Sequence, residues 1–326
     1  MRIQVYMRGD DKVIGFDIGG TKCAVCVGRC DKDRIVIENK MVMPTNCNIS
    51  PYDMIECMCK AAEEMTDDFS SIGISCGGPL DSDKGVIMSP PNLPGWDNVT
   101  IVDYLKNKYG GKVKLQNDAN ACAVAEWKFG AGIGSENMIF LTFGTGLGAG
   151  LILNSQLYCG TNDMAGEVGH IRLCKSGPVG YGKEGSFEGF CSGGGIAQLG
   201  KMYAEERLLK GEVVSFCQSR ANLDEITAKT IAQKAYEGFE DAVGIYKLCG
   251  ERLGQGLSIL VDILNPDKIV IGSIYQRAEK LLVQSMKGVL ESECLPASLA
   301  ACSIVPAALG DSIGDYAAIS VATLNE

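Results

Sequence analysis

Twice in this chain an apolar strand runs into a glycine–threonine turn and leaves again as a second apolar strand. The first copy is "FDIGGTKCAVCVG", residues 16 to 28, and the second is "TFGTGLGAGLILN", residues 142 to 154. Such turns set two neighbouring strands antiparallel. Their glycines also let the main chain come close to a ligand and turn N–H groups toward a phosphate. Either copy alone is equally a tight hairpin with no ligand. Two of them, one in each half of the chain, are more specific than a single glycine motif.

The segments around the turns alternate in type. Strands "KVIGFDI", "KCAVCVG" and "RIVIENKMVM" are followed by a helix, "YDMIECMCKAAEEM", and a buried strand, "SIGISC". A Gly-Pro loop, a helix near "VTIVDYLKNKYG" and a strand, "KVKLQN", complete the set. After Asn117 the pattern restarts: helix "DANACAVAEWKFG", strand "NMIFLTF", loop "GTGLGAG", strand "LILN". Residues 193 to 264 read as mainly helical. "DKIVIGS" is a late buried strand, a helix runs from about Ala278, and "CSIVPA" is the last strand. "DSIGDYAAISVATL" reads as an amphipathic helix. This alternation predicts an α/β fold, and 326 residues are long for one core, so two domains are expected.

The net charge of −10 argues against a surface for duplex DNA, which needs clustered Lys and Arg. Nucleotide phosphates remain possible ligands, because backbone N–H groups and a metal ion bind them locally. No apolar run approaches the length that spans a bilayer. The opening "MRIQVYMRGDDKV" has no signal-type apolar segment, so a cytoplasmic protein with no membrane partner is expected. The fifteen cysteines suggest disulfides or metal until their spacing is considered. Cys23 and Cys26 are three apart on a strand and point to opposite faces. Cys57 and Cys59 are two apart on a helix and do not face each other. Most of these thiols are expected to be reduced and buried as small apolar groups.

Asp17 ends a strand just before Gly19, Gly20, Thr21 and Lys22, where its carboxylate could hold Mg2+ through water. The turn is not a Walker loop, since Thr21 separates Gly20 from Lys22. Gly144, Thr145, Gly146 and Gly148 repeat the device. Asp118 stands where a strand gives way to a helix, a place for a catalytic base at the mouth of a sheet or equally for a helix N-cap. Asn92 lies in a proline-stiffened turn. The only histidine, His170, follows Glu167 by three residues, with Gly166 and Gly169 between and before them. By itself it could be a base, a metal ligand, a substrate clamp or a packed ring.

"FDIGGTK", "SPPNLPGW", "QNDANACAVAE", "TFGTGLGAGLILN", "GEVGH" and "GDSIGD" stand in the order found in the ROK sugar kinases (repressor, open reading frame, kinase). From about Val13 to the C-terminal helix the chain resembles that family. The resemblance implies a two-domain actin/hexokinase-like (ribonuclease H-like) fold with an interdomain cleft. One α/β domain would span 1–118 with 308–326, and the other 119–307. It also implies ATP and Mg2+ as cofactors and a hexose as substrate, phosphorylated on the 6-hydroxyl of glucose or a close relative. A homodimer is common in the family, and no nucleic acid is needed. Asp118 would be the base and Asn117 a sugar ligand, with Asn92, Gly78 in "CGGPL", Glu167, His170, and Glu188 in "GSFEG" around the hexose. The two glycine turns would hold the nucleotide.

The chain departs from the family twice. Many ROK proteins join the histidine to three cysteines around zinc. Aligned on "GSFE", those cysteines fall at Val179, Tyr181 and Ser186, and Cys174 and Cys191 lie outside the pattern. A lone histidine cannot complete a tetrahedral site. His170 is therefore expected to clamp the sugar without structural zinc, with Tyr181 and Phe187 packing where an ion would be. In "IVIGSIY" the family has a further glycine pair near adenine. Two rival readings are a sugar-responsive transcriptional regulator and a sugar-binding protein without catalysis. A regulator needs a helix-turn-helix ahead of the body, and about a dozen residues precede the first strand. Asp17, Asp118 and both turns favour the enzyme over the non-catalytic binder.

Overall fold

The computed structural model describes residues 12–30 and 34–324; most of the opening segment considered for a signal peptide lies outside them. In chain order the elements are β1 (Lys12–Ile18), β2 (Lys22–Cys30), β3 (Ile35–Pro44), α1 (Pro51–Met65), β4 (Ser71–Cys76), β5 (Leu80–Asp81), β6 (Val86–Ile87), α2 (Ile101–Tyr109), β7 (Lys112–Asn117) and α3 (Asp118–Phe129). There follow β8 (Met138–Phe143), β9 (Leu147–Leu153), β10 (Gln156–Tyr158), β11 (Val179–Gly180), β12 (Lys183–Glu184), α4 (Phe187–Phe190) and α5 (Gly193–Leu209). The rest are α6 (Ala228–Tyr236), α7 (Glu240–Leu264), β13 (Lys268–Ile271), α8 (Ile274–Glu293), α9 (Pro296–Ala301), β14 (Ser303–Pro306) and α10 (Ile313–Ala322). Among the described residues no helix is long and apolar enough to cross a membrane.

The chain divides into two compact units: Met1–Gly134 with Gly150–Ala165 and Ala308–Glu326, and Ser135–Ala149 with Gly166–Ala307. The first sheet runs β3-β2-β1-β4-β7 and the second β10-β9-β8-β13-β14. Counted within its own sheet, each has the order third, second, first, fourth, fifth. In the first sheet β1, β2 and β3 are antiparallel neighbours, and β1, β4 and β7 are parallel. In the second, β8, β13 and β14 are parallel.

In the first unit α1 and α2 cover one face of the sheet. Met54, Ile55, Met58, Cys59, Ala61 and Ala62 recur at helical spacing and join Phe16, Cys23, Val25 and Ile74 in the core. Ser50 begins α1 by accepting from the Asp53 amide at 3.1 Å, ahead of Pro51. The other face receives α10, where Cys26 packs with Val13, Ile319 and Ala322. Cys23 and Cys26 do lie on opposite faces. All fifteen cysteines are free, and nine are buried.

The α10 helix is not amphipathic as its pattern suggested. Residues 317 to 322 are all buried, because the helix lies between the sheet and α3. Its approach to the sheet is close: a Cβ on Gly73 would come within 2.0 Å of the Ala318 carbonyl oxygen. On its far side Ala317 and Val321 meet Ala121 and Ala125 of α3. The same packing explains why α3 falls in the first unit, where the boundaries inferred from the sequence gave it to the second domain; Gly150–Ala165, also given to the second domain, falls in the first unit as well. The buried Glu126 carboxylate also accepts from the amides of Ala308 and Leu309 at 2.9–3.1 Å, joining α3 to the segment that leads into α10.

Two element boundaries also differ. The strand after the second turn begins at Leu147, not Leu151, so most of "GTGLGAG" is strand. Glycine weakens a strand signal, but Gly150 is required by packing, since a Cβ there would sit 2.5 Å from Ala119 O and Ala123 Cβ. The α8 helix begins at Ile274 and carries a non-helical residue at Ala278 (φ −121°, ψ 16°), the point taken as its start.

Candidate active site

In the first unit β1 and β7 run parallel on either side of β4, with Asp17 near the end of β1 and Asp118 directly after β7. Asn117, not Asp118, caps α3: its Oδ1 accepts from the amides of Ala119 and Asn120 at 3.0 and 3.4 Å. Asp118 is the first helical residue, and its Oδ1 accepts from Ala119 at 2.8 Å. Much of the residue's surface still meets solvent, so the carboxylate lies in a recess, not a sealed core. Burial nonetheless raises its pKa above the ordinary value, opposed by the nearby backbone amides. The Asn117 Nδ2 lies toward Gly78, where an added Cβ would be 3.3 Å away.

Asp17 is the second-last residue of β1. Burial lifts its pKa to about 6, the charges of Asp118 and Asp315 add to the rise, and Lys22 and Lys40 oppose it. Asp315 is a buried carboxylate on the first turn of α10, paired with Lys40 Nζ at 2.7 Å. Sequence reading missed this pair, and no local signal exists for two residues 275 apart. The first glycine turn is tight: Gly19 N donates to Lys22 O at 3.1 Å, and Thr45 N donates to Thr21 O at 3.0 Å. Gly20 has no side chain for a reason other than a ligand. A Cβ there would come 2.3 Å from the Asn92 carbonyl oxygen, so the Asn92 loop lies directly on the turn.

In the second unit Gly144 N donates to Gly146 O at 3.0 Å, and Gly144 O accepts from Gly193 N at 2.8 Å. Thr145 is exposed at the tip. Gly148 is not part of the turn. It lies in β9, and its amide is taken by Thr142 Oγ1 at 3.0 Å. Glu188, on α4, accepts from Leu147 N at 3.0 Å through Oε2, the atom that a Cβ on Gly146 would meet at 2.8 Å. A 3-10 turn over Val168–His170 begins directly after Glu167. His170 N donates to Glu167 O at 3.1 Å across that turn, and both residues are exposed. Gly169 packs on Leu147 O and Glu188 Cβ, so the turn bearing His170 rests against the second glycine turn.

The segment aligned with the zinc loop is held without Tyr181. That residue is 75% exposed with φ 44° at the tip of the β11–β12 hairpin, so its expected packing role is wrong: the tip turns the ring out. Phe187 is fully buried. Ser186 Oγ accepts from Gly189 N at 3.1 Å, and Gln198 clamps both the amide and the carbonyl of Val179 at 2.9 Å. Cys191 is buried, with its thiol on the Cys249 carbonyl at 3.6 Å.

Beside the second turn is a cavity of about 670 Å³ lined by Gly144, Thr145, Gly193, Gly194, Tyr246 and Ser273, among others. Sequence reading did not place its far walls. The run "SGGG", residues 192 to 195, was the available signal, a glycine cluster opening a helix.

A mixed α/β chain with two sheets of one strand order, carboxylates at the strand ends of one and a glycine-walled cavity at the other, has the actin/hexokinase-like fold. The sequence profile of the ROK family matches residues 13–323, and the chain belongs to that family. It is 28% identical over 313 residues to the glucokinase of Thermotoga maritima, covering 95% of this chain and 96% of that one. It is 32% identical over 240 residues to the xylose repressor of Caldicellulosiruptor bescii, covering 73% of this chain and 59% of that protein. Among solved structures, a ROK family glucokinase from Streptomyces griseus in complex with glucose and AMPPNP superimposes with a TM-score of 0.74 at 27% identity, over 96% of this chain and 99% of that one.

Proposed function

We propose that the protein transfers the γ-phosphoryl group of ATP to a hexose hydroxyl, the 6-hydroxyl of glucose or a close relative. The observation that carries this reading is Asp118. Asn117 caps α3 in its place, which leaves one carboxylate oxygen of Asp118 with no capping duty, and burial raises its pKa above the ordinary value. Asp118 accepts the proton of the attacking hydroxyl. Asn117, Gly78 and Asn92 bound the sugar from the first unit, and Glu167, His170 and Glu188 supply acceptors and donors for its adjacent hydroxyls. Gly144, Thr145 and Gly146 with the adjoining cavity take the nucleotide, and the resemblance assigns phosphate contacts to Gly19, Gly20, Thr21 and Lys22.

Mg2+ bound with ATP neutralises charge on the transferring phosphates. The residues fit such an ion: Asp17 is a hard oxygen donor whose pKa is raised by burial and by the charges of Asp118 and Asp315, an effect a cation would oppose.

A coupled ATP assay across a hexose panel tests the reading. Turnover of at least one hexose, abolished by Asp118→Asn, is expected. The xylose repressor relative favours one competing outcome: hexose binding with no turnover would assign the chain to sugar-responsive regulation or to non-catalytic binding.

A further inference from the structure

A tight turn between antiparallel strands is ordinarily closed by main-chain bonds in both directions between the residues that flank it. At the first glycine turn one direction is present, from Gly19 N to Lys22 O at 3.1 Å. The return bond, from Lys22 N to Gly19 O, is absent among the described residues. The Gly19 carbonyl accepts instead from the Thr45 hydroxyl at 2.6 Å. Thr45 follows directly after β3, the end strand of its sheet, where Pro44 stands opposite Lys22. Its main-chain amide holds a second carbonyl of the turn, Thr21 O, at 3.0 Å. A trans peptide keeps its C=O and the following N–H on opposite sides. Drawing the Gly19 and Thr21 carbonyls toward Thr45 therefore turns the Gly20 and Lys22 amides away from it. Among the described residues the amides of Gly20, Thr21 and Lys22 find no main-chain acceptor in the turn. Successive N–H groups left open in this way make a concavity for an anion.

We infer that Thr45 is a positioning residue for phosphoryl transfer, its hydroxyl holding the first glycine turn open so that the turn's amides are presented to a phosphate. The inference rests on the reading that this turn meets the phosphates of ATP. Without the hydroxyl the Gly19 carbonyl is free to take the Lys22 amide, which closes the turn and withdraws an N–H from the ligand. The Cys23 sulfur lies 3.3 Å from the same hydroxyl. Burial raises the pKa of that thiol, so it keeps its proton and can donate to Thr45 Oγ1 while Thr45 donates to Gly19 O.

Thr45→Val keeps the size and branching of the side chain and removes its hydroxyl, and Thr45→Ser keeps the hydroxyl. The measurements are steady-state kinetics with MgATP and the accepted hexose, and direct titration of that hexose, on each full-length variant. In Thr45→Val kcat/KM for ATP should fall about tenfold, the size of one hydrogen bond to a charged group. Its hexose affinity should be nearly unchanged, and Thr45→Ser should recover the wild-type kcat/KM. An unchanged kcat/KM for ATP in Thr45→Val overturns the inference. Equal losses in ATP and hexose parameters overturn it too, because they report a loosened unit and not a misplaced turn. Wild-type protein that turns over no hexose overturns the proposed function itself, and with it the role of Thr45.

Discussion

At the first glycine turn the space left by Gly20 is filled by the Asn92 carbonyl, and at the second the space beside Gly144 holds only the Ser273 hydroxyl, 3.6 Å from a built Cβ. The contrast extends along the strands. Asp17 stands two residues before the first turn's leading glycine, and Thr142 stands two before the second's, where it bonds the Gly148 amide. The two sheets have one strand order, so the backbone scaffold was doubled while the chemistry was not. Charge gathers at the first sheet through Asp17, Asp118 and Asp315. Open volume gathers at the second. A repeated backbone motif therefore identifies where a site can be built, and the side chains packed against it decide what the site does.

The sharpest test of that division is Asp118→Asn. It preserves shape and removes the proton acceptor, so kcat should fall by ~100- to 10,000-fold with hexose affinity nearly unchanged. Single-turnover kinetics and sugar titration together check it, and activity within tenfold of wild type would move the chemistry away from the first sheet.

Asp17→Asn comes next and reads the same charge cluster through stability. The folded pKa of Asp17, about 6, is above its ordinary 3.8. The folded state therefore holds the proton more tightly, and stability is full below about pH 4 and declines as pH rises through 6. Removing the charge should raise metal-free stability at pH 8 by at most ~3 kcal/mol, shrinking toward zero at pH 4, while activity falls. Equal gains at both pH values would show that the carboxylate crowding is not felt.

The two turns can be compared directly by adding one methyl group to each. Gly20→Ala collides with backbone and should cost ~1–3 kcal/mol. Gly144→Ala meets only the far end of a serine, so stability should change by less than ~0.5 kcal/mol while the KM for ATP rises. Matching melting losses would erase the distinction drawn above. The smallest expected effect is none at all. With Val179, Tyr181 and Ser186 in the aligned positions no zinc is expected to be linked to folding, so a strong chelator should leave the melting temperature unchanged. A fall in melting temperature would show that Cys174, Cys191 or other thiols hold an ion.

Much of this molecule is readable along the chain. The apolar spacing of α1, the alternation in β1 and β2, and the opposed faces of Cys23 and Cys26 follow from periodicities of 3.6 and 2, which belong to the local backbone. The two glycine turns and the strand–helix junction at Asp118 are local in the same sense, and so the candidate acids and turns could be named before any fold was known. The outward turn of Tyr181 could not be, because a large ring in a glycine-rich hairpin carries no label for inside or outside. The all-round burial of α10 could not be either, since "AAIS" reads as small residues and not as a core until a sheet and a helix close on both sides of it.

The chain alone thus determined the α/β alternation, the pair of turns and the residues with the right chemistry near them. Tertiary structure decided that Asn117 caps α3 and leaves Asp118 available, that Asp315 and Lys40 stand beside Asp17 from opposite ends of the chain, and that Gly20 yields to Asn92. Each of these depends on which atoms are excluded from, or admitted to, a few cubic ångströms. Volume exclusion and charge desolvation act between residues that are close in space, whatever their separation along the chain.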